Sequence, residues 1–315
     1  MAGQFEAACA SHTPLMAFAE PGRGGGKDVR EALARLGRRI EAFDPELVFQ
    51  FSPDHYNGFF YDLMPPFCIG VQASALGDWG THKGALNVPA DIALGAQAAA
   101  SDADVDVALS YRMKVDHGFT QFWQMTVGAA DRYPIVPIFV NCAAAPLPRF
   151  TRVRALGEAI GRYAQGLGKR VLFVGSGGLS HDPPLPQIAT ADDVRREFLI
   201  AGRNPTPEAM AAREQRILAA GQASARGEGP CQPLNPVWDR KILDLLAQGD
   251  LAAFDRMTDE EVRREGGSGG PEIRAWQAAF AALKTAGDYD STVEFYRDIP
   301  EWIVGMGVMH AAARS

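Results

Sequence analysis

Apolar residues Val29, Leu33, Leu36, Ile40 and Phe43 recur at steps of four and three. That spacing predicts a helix with one buried face. Asp28 precedes the run and reads as its N-cap, and Asp44-Pro45 ends it. Short apolar stretches alternate with such helical patterns: FEAACA (5–10), ELVFQF (46–51), VDVALS (105–110), PIVPIFV (134–140) and RVLFVG (170–175) read as strands, and 89–99, 119–130 and 151–167 as helices. Continuous apolar strands are buried on both faces. The alternation therefore predicts an α/β fold, with a mixed or mainly parallel central sheet flanked by helices. Pro137 cannot donate to a strand ladder, which places its strand near an edge or distorts it.

Beyond residue 190 the pattern turns helical, at 191–226, 234–250 and 271–287. PGRGGGKD (21–28) reads as flexible and GGSGG (266–270) as linker-like, with Pro271 just inside a helix start. The expectation is one domain over 1–315: an α/β core at about 5–190 and a helical C-terminal part at about 191–305.

Composition narrows the function classes. The chain has 315 residues, 47% hydrophobic and 22% charged, with a formal net charge of −7. No Lys/Arg patch interleaved with aromatics suggests nucleic acid. No long apolar run spans a bilayer, and the N-terminus lacks a signal-peptide pattern. Cys9, Cys68, Cys142 and Cys231 form no CxxC pair and read as reduced, mostly buried thiols of a cytoplasmic protein.

Four of the six histidines follow candidate strands: His12 in ASHTP, His55 in SPDHYNG, His117 in VDHGF and His181 in GGLSHDPP. Ligand sites of open α/β sheets form beyond the carboxyl ends of strands. Imidazoles and carboxylates without thiolate suit a borderline or oxygen-activating metal. Neither HExxH nor a strand-led GxGxxG is present, and GSGGLS (175–180) is not a GxSxG nucleophile motif. Asp54, Asp116 and Asp182 each adjoin a histidine and could orient it or cap a turn. Glu272, after Pro271, reads by itself as a first-turn acid. His82 lies in a glycine-containing loop, and His310 reads as a solvated tail residue. These patterns give a polar histidine cluster without fixing its third ligand.

SHTPL (11–15), FSPDHYNGFFYDLMPPFCIG (51–70), VDHGF (115–119), VLFVGSGGLSHDPP (171–184), LNPVWD (234–239), EIRAWQAAFAA (272–282) and IPEWIVG (299–305) together resemble the class III extradiol ring-cleavage dioxygenases. The likeness runs over about residues 6–305. It implies an Fe(II) enzyme that opens a 3-substituted catechol beside its diol with both atoms of O2. The implied substrate is 2,3-dihydroxyphenylpropionate, with 2,3-dihydroxycinnamate as an alternative, and the product a yellow 2-hydroxy-6-oxo dienoic dicarboxylate. The resemblance makes His12, His55 and Glu272 the metal ligands, His117 the proton donor and His181 the base. It also implies a homo-oligomer, with the diol and O2 as the other partners and neither nucleic acid nor membrane. A metal-dependent hydrolase or a non-catalytic metal-binding protein on the same scaffold are the alternatives. Arg112 or Lys114 could meet a substrate carboxylate, and Phe122 and Trp123 could narrow the pocket or pack a helix on the sheet.

Overall fold

The computed structural model describes residues 4–22 and 25–314. Arg23 and Gly24 of the PGRGGGKD stretch lie outside them. The strands are β1 (Phe5–Ala10), β2 (Leu47–Ser52), β3 (Phe67–Gly70), β4 (Ala73–Leu76), β5 (Lys83–Ala85), β6 (Ala108–Ser110), β7 (Met113–Val115), β8 (Ile135–Val140), β9 (Val171–Ser176), β10 (Tyr289–Ile299) and β11 (Val304–Ala313). The helices are α1 (Gly25–Phe43), α2 (Ala90–Asp102), α3 (His117–Thr126), α4 (Phe150–Gln165), α5 (Asp193–Ala201), α6 (Pro207–Ala225), α7 (Pro236–Gln248), α8 (Asp259–Gly266) and α9 (Ile273–Lys284).

Eight strands form one sheet in the order β10-β11-β1-β9-β2-β8-β3-β6. Its centre, β1-β9-β2-β8, is parallel. A smaller sheet, β5-β4-β7, lies apart. The mixed α/β architecture expected from the alternation is present.

Strand alternation supplies two cores. Phe49, Phe51 and Phe173 face the side covered by α2, α4, α7 and α9, while Val48, Leu172 and Val174 face α1 and α3. Burying one such phenylalanine side chain stabilises the fold by about 2 kcal/mol. Helix α9 is apolar nearly all round and buried from Ile273 to Leu283. Its alanines let it lie in the inner layer against α4 and the sheet.

Several local expectations need correction. Asp28 is no N-cap: α1 begins at Gly25, and the Asp28 carboxylate accepts from Arg297 at 2.7 Å. VDVALS is extended only at Ala108–Ser110. Pro137 lies in an interior strand. It is tolerated because β3 stops pairing with β8 at Ile138, so no neighbour on that side requires its missing N–H. The C-terminal part is not wholly helical, since β11 extends the main sheet antiparallel to β1 and β10 adds antiparallel to β11. His310 is not a solvated tail residue but a buried member of β11, its Nε2 2.8 Å from Glu6 Oε2. GGSGG is no linker, for four of its five residues are buried.

All four cysteines are free, and three are buried. Among the described residues no helix is long and apolar enough to cross a membrane.

Candidate metal and catalytic centre

The parallel centre of the sheet does the positioning. Adjacent strands β1, β9 and β2 end on the same side, so the loops after them bring His12, His181 and His55 together. His117 arrives from the β7–α3 junction, and Glu272 from a single 3-10 turn (Gly270–Glu272) leading into α9. All five side chains are buried.

His12 Nε2 lies 3.5 Å from His55 Nε2 and 4.0 Å from Glu272 Oε2, and His55 Nε2 lies 3.3 Å from Glu272 Oε1. The back nitrogens are occupied. His12 Nδ1 is 3.0 Å from Ser176 Oγ, and His55 Nδ1 is 2.9 Å from Asp116 Oδ2. Such outer partners fix each ring so that Nε2 can offer its lone pair to a metal. Glu272 Oε2 accepts the Gly178 N–H at 3.0 Å. Gly177 must be glycine here: its φ is 118°, and a Cβ would meet Glu272 Oε2 at 2.5 Å.

His181 Nε2 lies 3.2 Å from Glu272 Oε1, and its Nδ1 donates to the Leu179 carbonyl at 3.0 Å. GGSGG forms the bed for this ring. The His181 N–H donates to the Gly266 carbonyl at 2.8 Å, and a Cβ on Gly269 would sit 2.0 Å from His181 Nε2. On the other side of the cluster, His117 stacks on His55 with centroids 4.4 Å apart, and its Nδ1 is 2.5 Å from Asp78 Oδ2.

Asp116 binds most closely to His55 rather than to its sequence neighbour His117, whose Nδ1 lies 3.9 Å from Asp116 Oδ2. Its Oδ2 accepts from the His55 N–H and Nδ1 and from Asn57 Nδ2, while Oδ1 caps α3 through the Gly118 N–H at 2.9 Å. Asp54 caps the turn at 57–59 and Asp182 holds the Gln232 and Ser268 N–H groups, so neither orients a histidine.

The electrostatics are those of a compact acid–imidazole cluster. Burial chiefly pulls His12 down to about 3, which leaves it a neutral imidazole. Burial also opposes charge on His55 and His181, but Asp116 and Glu272 outweigh it on His55 and Glu272 does so on His181; both stand above the ordinary histidine value. Burial likewise opposes the Glu272 charge, yet His181 and His55 hold that carboxylate well below its usual range.

The donor set fits a divalent metal: two imidazole Nε2 atoms with anchored Nδ1, and a buried carboxylate facing them. His12, His55 and His117 also bring three ring nitrogens within 4.8 Å of one another, and Asp78, Asp116 and His117 form a second such group. A rim of Leu15, Trp79, Leu185, Ile217, Trp302 and Ile303 makes the cavity above the histidines apolar.

Sequence patterns missed Asp78, Ser176 and Arg213, each of which touches the histidine cluster or its backbone. Asp78 lies in a short GDWG turn whose signal is that of any loop. Arg213 sits on a helix whose charge pattern reads as solvated. Arg112 and Lys114 are exposed and outside the cavity, where Lys114 donates to Ser74 Oγ. Phe122 and Trp123 pack α3 on the sheet, and Trp123 Nε1 donates to Gln50 at 2.7 Å. His82 lies outside the cluster, just before β5.

Residues 6–307 match the family described as the catalytic LigB subunit of aromatic ring-opening dioxygenase. Curated relatives carry the name 2,3-dihydroxyphenylpropionate/2,3-dihydroxicinnamic acid 1,2-dioxygenase. That of Paraburkholderia phymatum is 52% identical over 304 residues, covering 96% of each chain. That of Rhodococcus sp. is 51% identical over 308 residues, covering 98% of each, and that of Azotobacter vinelandii 49% over 306 residues, covering 97% of this chain and 98% of the relative. Among solved structures, an uncharacterized protein of Escherichia coli K12 aligns over 96% of this chain and 98% of its own, with a TM-score of 0.47 and 14% identity. The chain belongs to the LigB catalytic-subunit family. It is an Fe(II)-dependent extradiol dioxygenase acting on a catechol-type substrate and O2.

Proposed function

We propose, from membership of the ring-opening dioxygenase family, that this chain cleaves a catechol bearing an acidic side chain beside its diol. The relatives' names point to 2,3-dihydroxyphenylpropionate and 2,3-dihydroxycinnamate. We assign His12, His55 and Glu272 as the Fe(II) ligands and His117 and His181 as the acid–base pair. The convergence of the His12 and His55 Nε2 atoms on Glu272, at 3.3 to 4.0 Å, carries this reading. Bound there, Fe(II) would supply neighbouring positions for both substrate oxygens and for O2, and a path for electron density between them.

The chain's residues supply the rest. His181, held at Nδ1 by Leu179, presents Nε2 as the base for a catechol hydroxyl. His117, its Nδ1 fixed by Asp78, is placed to hand a proton from its other ring nitrogen to the departing oxygen. The apolar rim excludes water and packs the ring faces. The three-histidine grouping makes His117 a rival to Glu272 as third ligand. Glu272 is preferred because its carboxylate is anionic and its Oε2 is fixed by Gly178, while His117 has a proton-transfer partner of its own. The same reading includes a single catalytic domain, cytoplasmic location and homo-oligomeric assembly.

The test is anaerobic reconstitution with Fe(II), addition of 2,3-dihydroxyphenylpropionate, and parallel recording of oxygen uptake and yellow product. Equimolar uptake is expected. His117→Gln and His181→Gln should each lower kcat by about 10²- to 10⁴-fold while iron content persists, whereas Glu272→Gln should deplete the iron. Iron lost with His117→Gln but kept with Glu272→Gln would exchange the two assignments. No uptake with any catechol would overturn the reading.

A further inference from the structure

We infer that Arg213, half-buried on α6, and Arg216, exposed three residues on and lining the outer cleft, form the subsite that binds the carboxylate of the substrate's side chain. This rests on the catechol-cleavage reading and adds which residues read the ring substituent.

The cavity over the histidines has apolar walls that suit an aromatic ring, and Arg213 is the one Lys or Arg among the described residues lining it. Past Trp79 and Arg213 it continues into an outer cleft of about 730 Å³, where Arg195, Arg213 and Arg216 supply positive charge and Asp78, Asp192 and Glu214 negative charge. Three of these six charges are already matched. Asp78 holds His117, and Asp192 caps α5 through the Arg195 N–H and pairs with that guanidinium at 3.4 Å.

Arg213 and Arg216 differ from Arg195. Arg213 donates to two neutral acceptors, the His55 carbonyl at 2.6 Å and Asn57 Oδ1 at 3.0 Å. Those bonds fix its guanidinium against the backbone of a proposed metal ligand and leave N–H donors unassigned. Arg216 has no hydrogen bond or ion pair with any described residue. Spacing of three places both guanidinium groups on one helix face, and Ile217 beside them lines both cavities.

Ring geometry supplies the remaining constraint. A substituent next to the diol stays close to the metal ligands when the diol faces them. An acidic substituent must leave through a wall that can bind an anion, and the junction at Arg213 offers this. A guanidinium fork matches a carboxylate in shape as well as charge.

The subsite is tested by comparing 2,3-dihydroxyphenylpropionate with 3-propylcatechol, of similar bulk but without the acid. Arg216→Gln should reduce kcat/KM for the acid relative to the alkyl catechol by about 10- to 100-fold, as loss of a charged hydrogen bond implies, mainly through KM. Arg216→Lys should recover part of the loss, and Arg216→Glu should deepen it. Arg213→Gln should lower the same ratio further, with an added fall in kcat because it also releases the His55 carbonyl. An equal effect on both substrates would overturn the subsite and leave ring cleavage standing. Should wild type cleave neither catechol, the parent reading fails, and the subsite is read by calorimetric binding of 3-phenylpropionate, which has no diol. Weaker binding to the Arg216→Gln protein supports the subsite; unchanged binding overturns it.

Discussion

Asp116 shows how one carboxylate couples a helix end to a candidate metal ligand. Its two oxygens receive different donors: Oδ2 takes the His55 backbone and ring N–H groups, and Oδ1 takes the first-turn Gly118 N–H of α3. An asparagine cannot serve both. With its oxygen toward His55, its NH₂ meets Gly118 and the cap is lost; with its oxygen toward Gly118, it faces a donor with a donor. Asp116→Asn should therefore weaken Fe(II) binding by about 10- to 100-fold, the usual cost of losing a partner behind a ligating histidine. Competition against a chelator of known affinity measures this. Unchanged affinity would mean that His55 keeps its orientation without the carboxylate. Adjacency in sequence pointed from Asp116 to His117, whereas the fold turns it to His55, because a side chain's partner is set by how strands and helix ends converge.

At the scale of elements, a buried carboxylate joins α7, the loop after β9 and β10. Asp239 accepts the Ser180 N–H at 2.7 Å, the Ser180 hydroxyl at 2.8 Å and the Tyr296 hydroxyl at 2.7 Å. Burial raises its pKa despite these bonds. The folded state thus holds the Asp239 proton more tightly than the unfolded chain. Its contribution to stability is greatest below the ordinary aspartate value of about 4 and falls as pH rises through the higher folded value. Asp239→Asn removes this titration, so the variant's Tm minus that of wild type should increase from pH 4 to pH 8. A difference that stays flat over that range would mean that Asp239 ionises as freely in the fold as in the unfolded chain.

The same elements show what the sequence made legible. Strands β1, β2, β8 and β9 and helices α1, α2 and α4 were readable because each carries its own periodicity. The histidines after the strands followed from them, and Glu272 came only through family likeness. Strand β11 was hidden: VGMGVMHAAA is rich in glycine, alanine and methionine and has few β-branched residues. It is extended because β1, some 300 residues away in sequence, supplies its partner at pairs such as Glu6↔Ala312. GGSGG reads as a linker until His181 lies against it. Its composition reflects close approach of backbone to a ring rather than freedom to move.

Taken as a whole, the proposed site joins distant parts of the chain. His12 and His55 hang from β1 and β2, and Glu272 opens α9, the buried helix that packs on the sheet. Beside them, Ser11 is tied to β11 by hydrogen bonds with Gly305 and Gly307. A metal held by His12, His55 and Glu272 would bind only where all these elements are assembled, because the unfolded chain separates its ligands by up to 260 residues (272 − 12). Ligand binding to the folded state stabilises it by RT ln(1 + [L]/Kd), about 2.7 kcal/mol at a hundredfold excess over Kd. At roughly 2 °C per kcal/mol for a chain of this size, Fe(II) under anaerobic conditions should raise Tm by about 5 °C over the chelated protein. Glu272→Gln should remove most of that gain, since one of the three clamps no longer offers an anion. Differential scanning calorimetry with Fe(II) and with chelator measures both. An equal gain in wild type and Glu272→Gln would place the stabilising ion elsewhere and detach α9 from the metal centre.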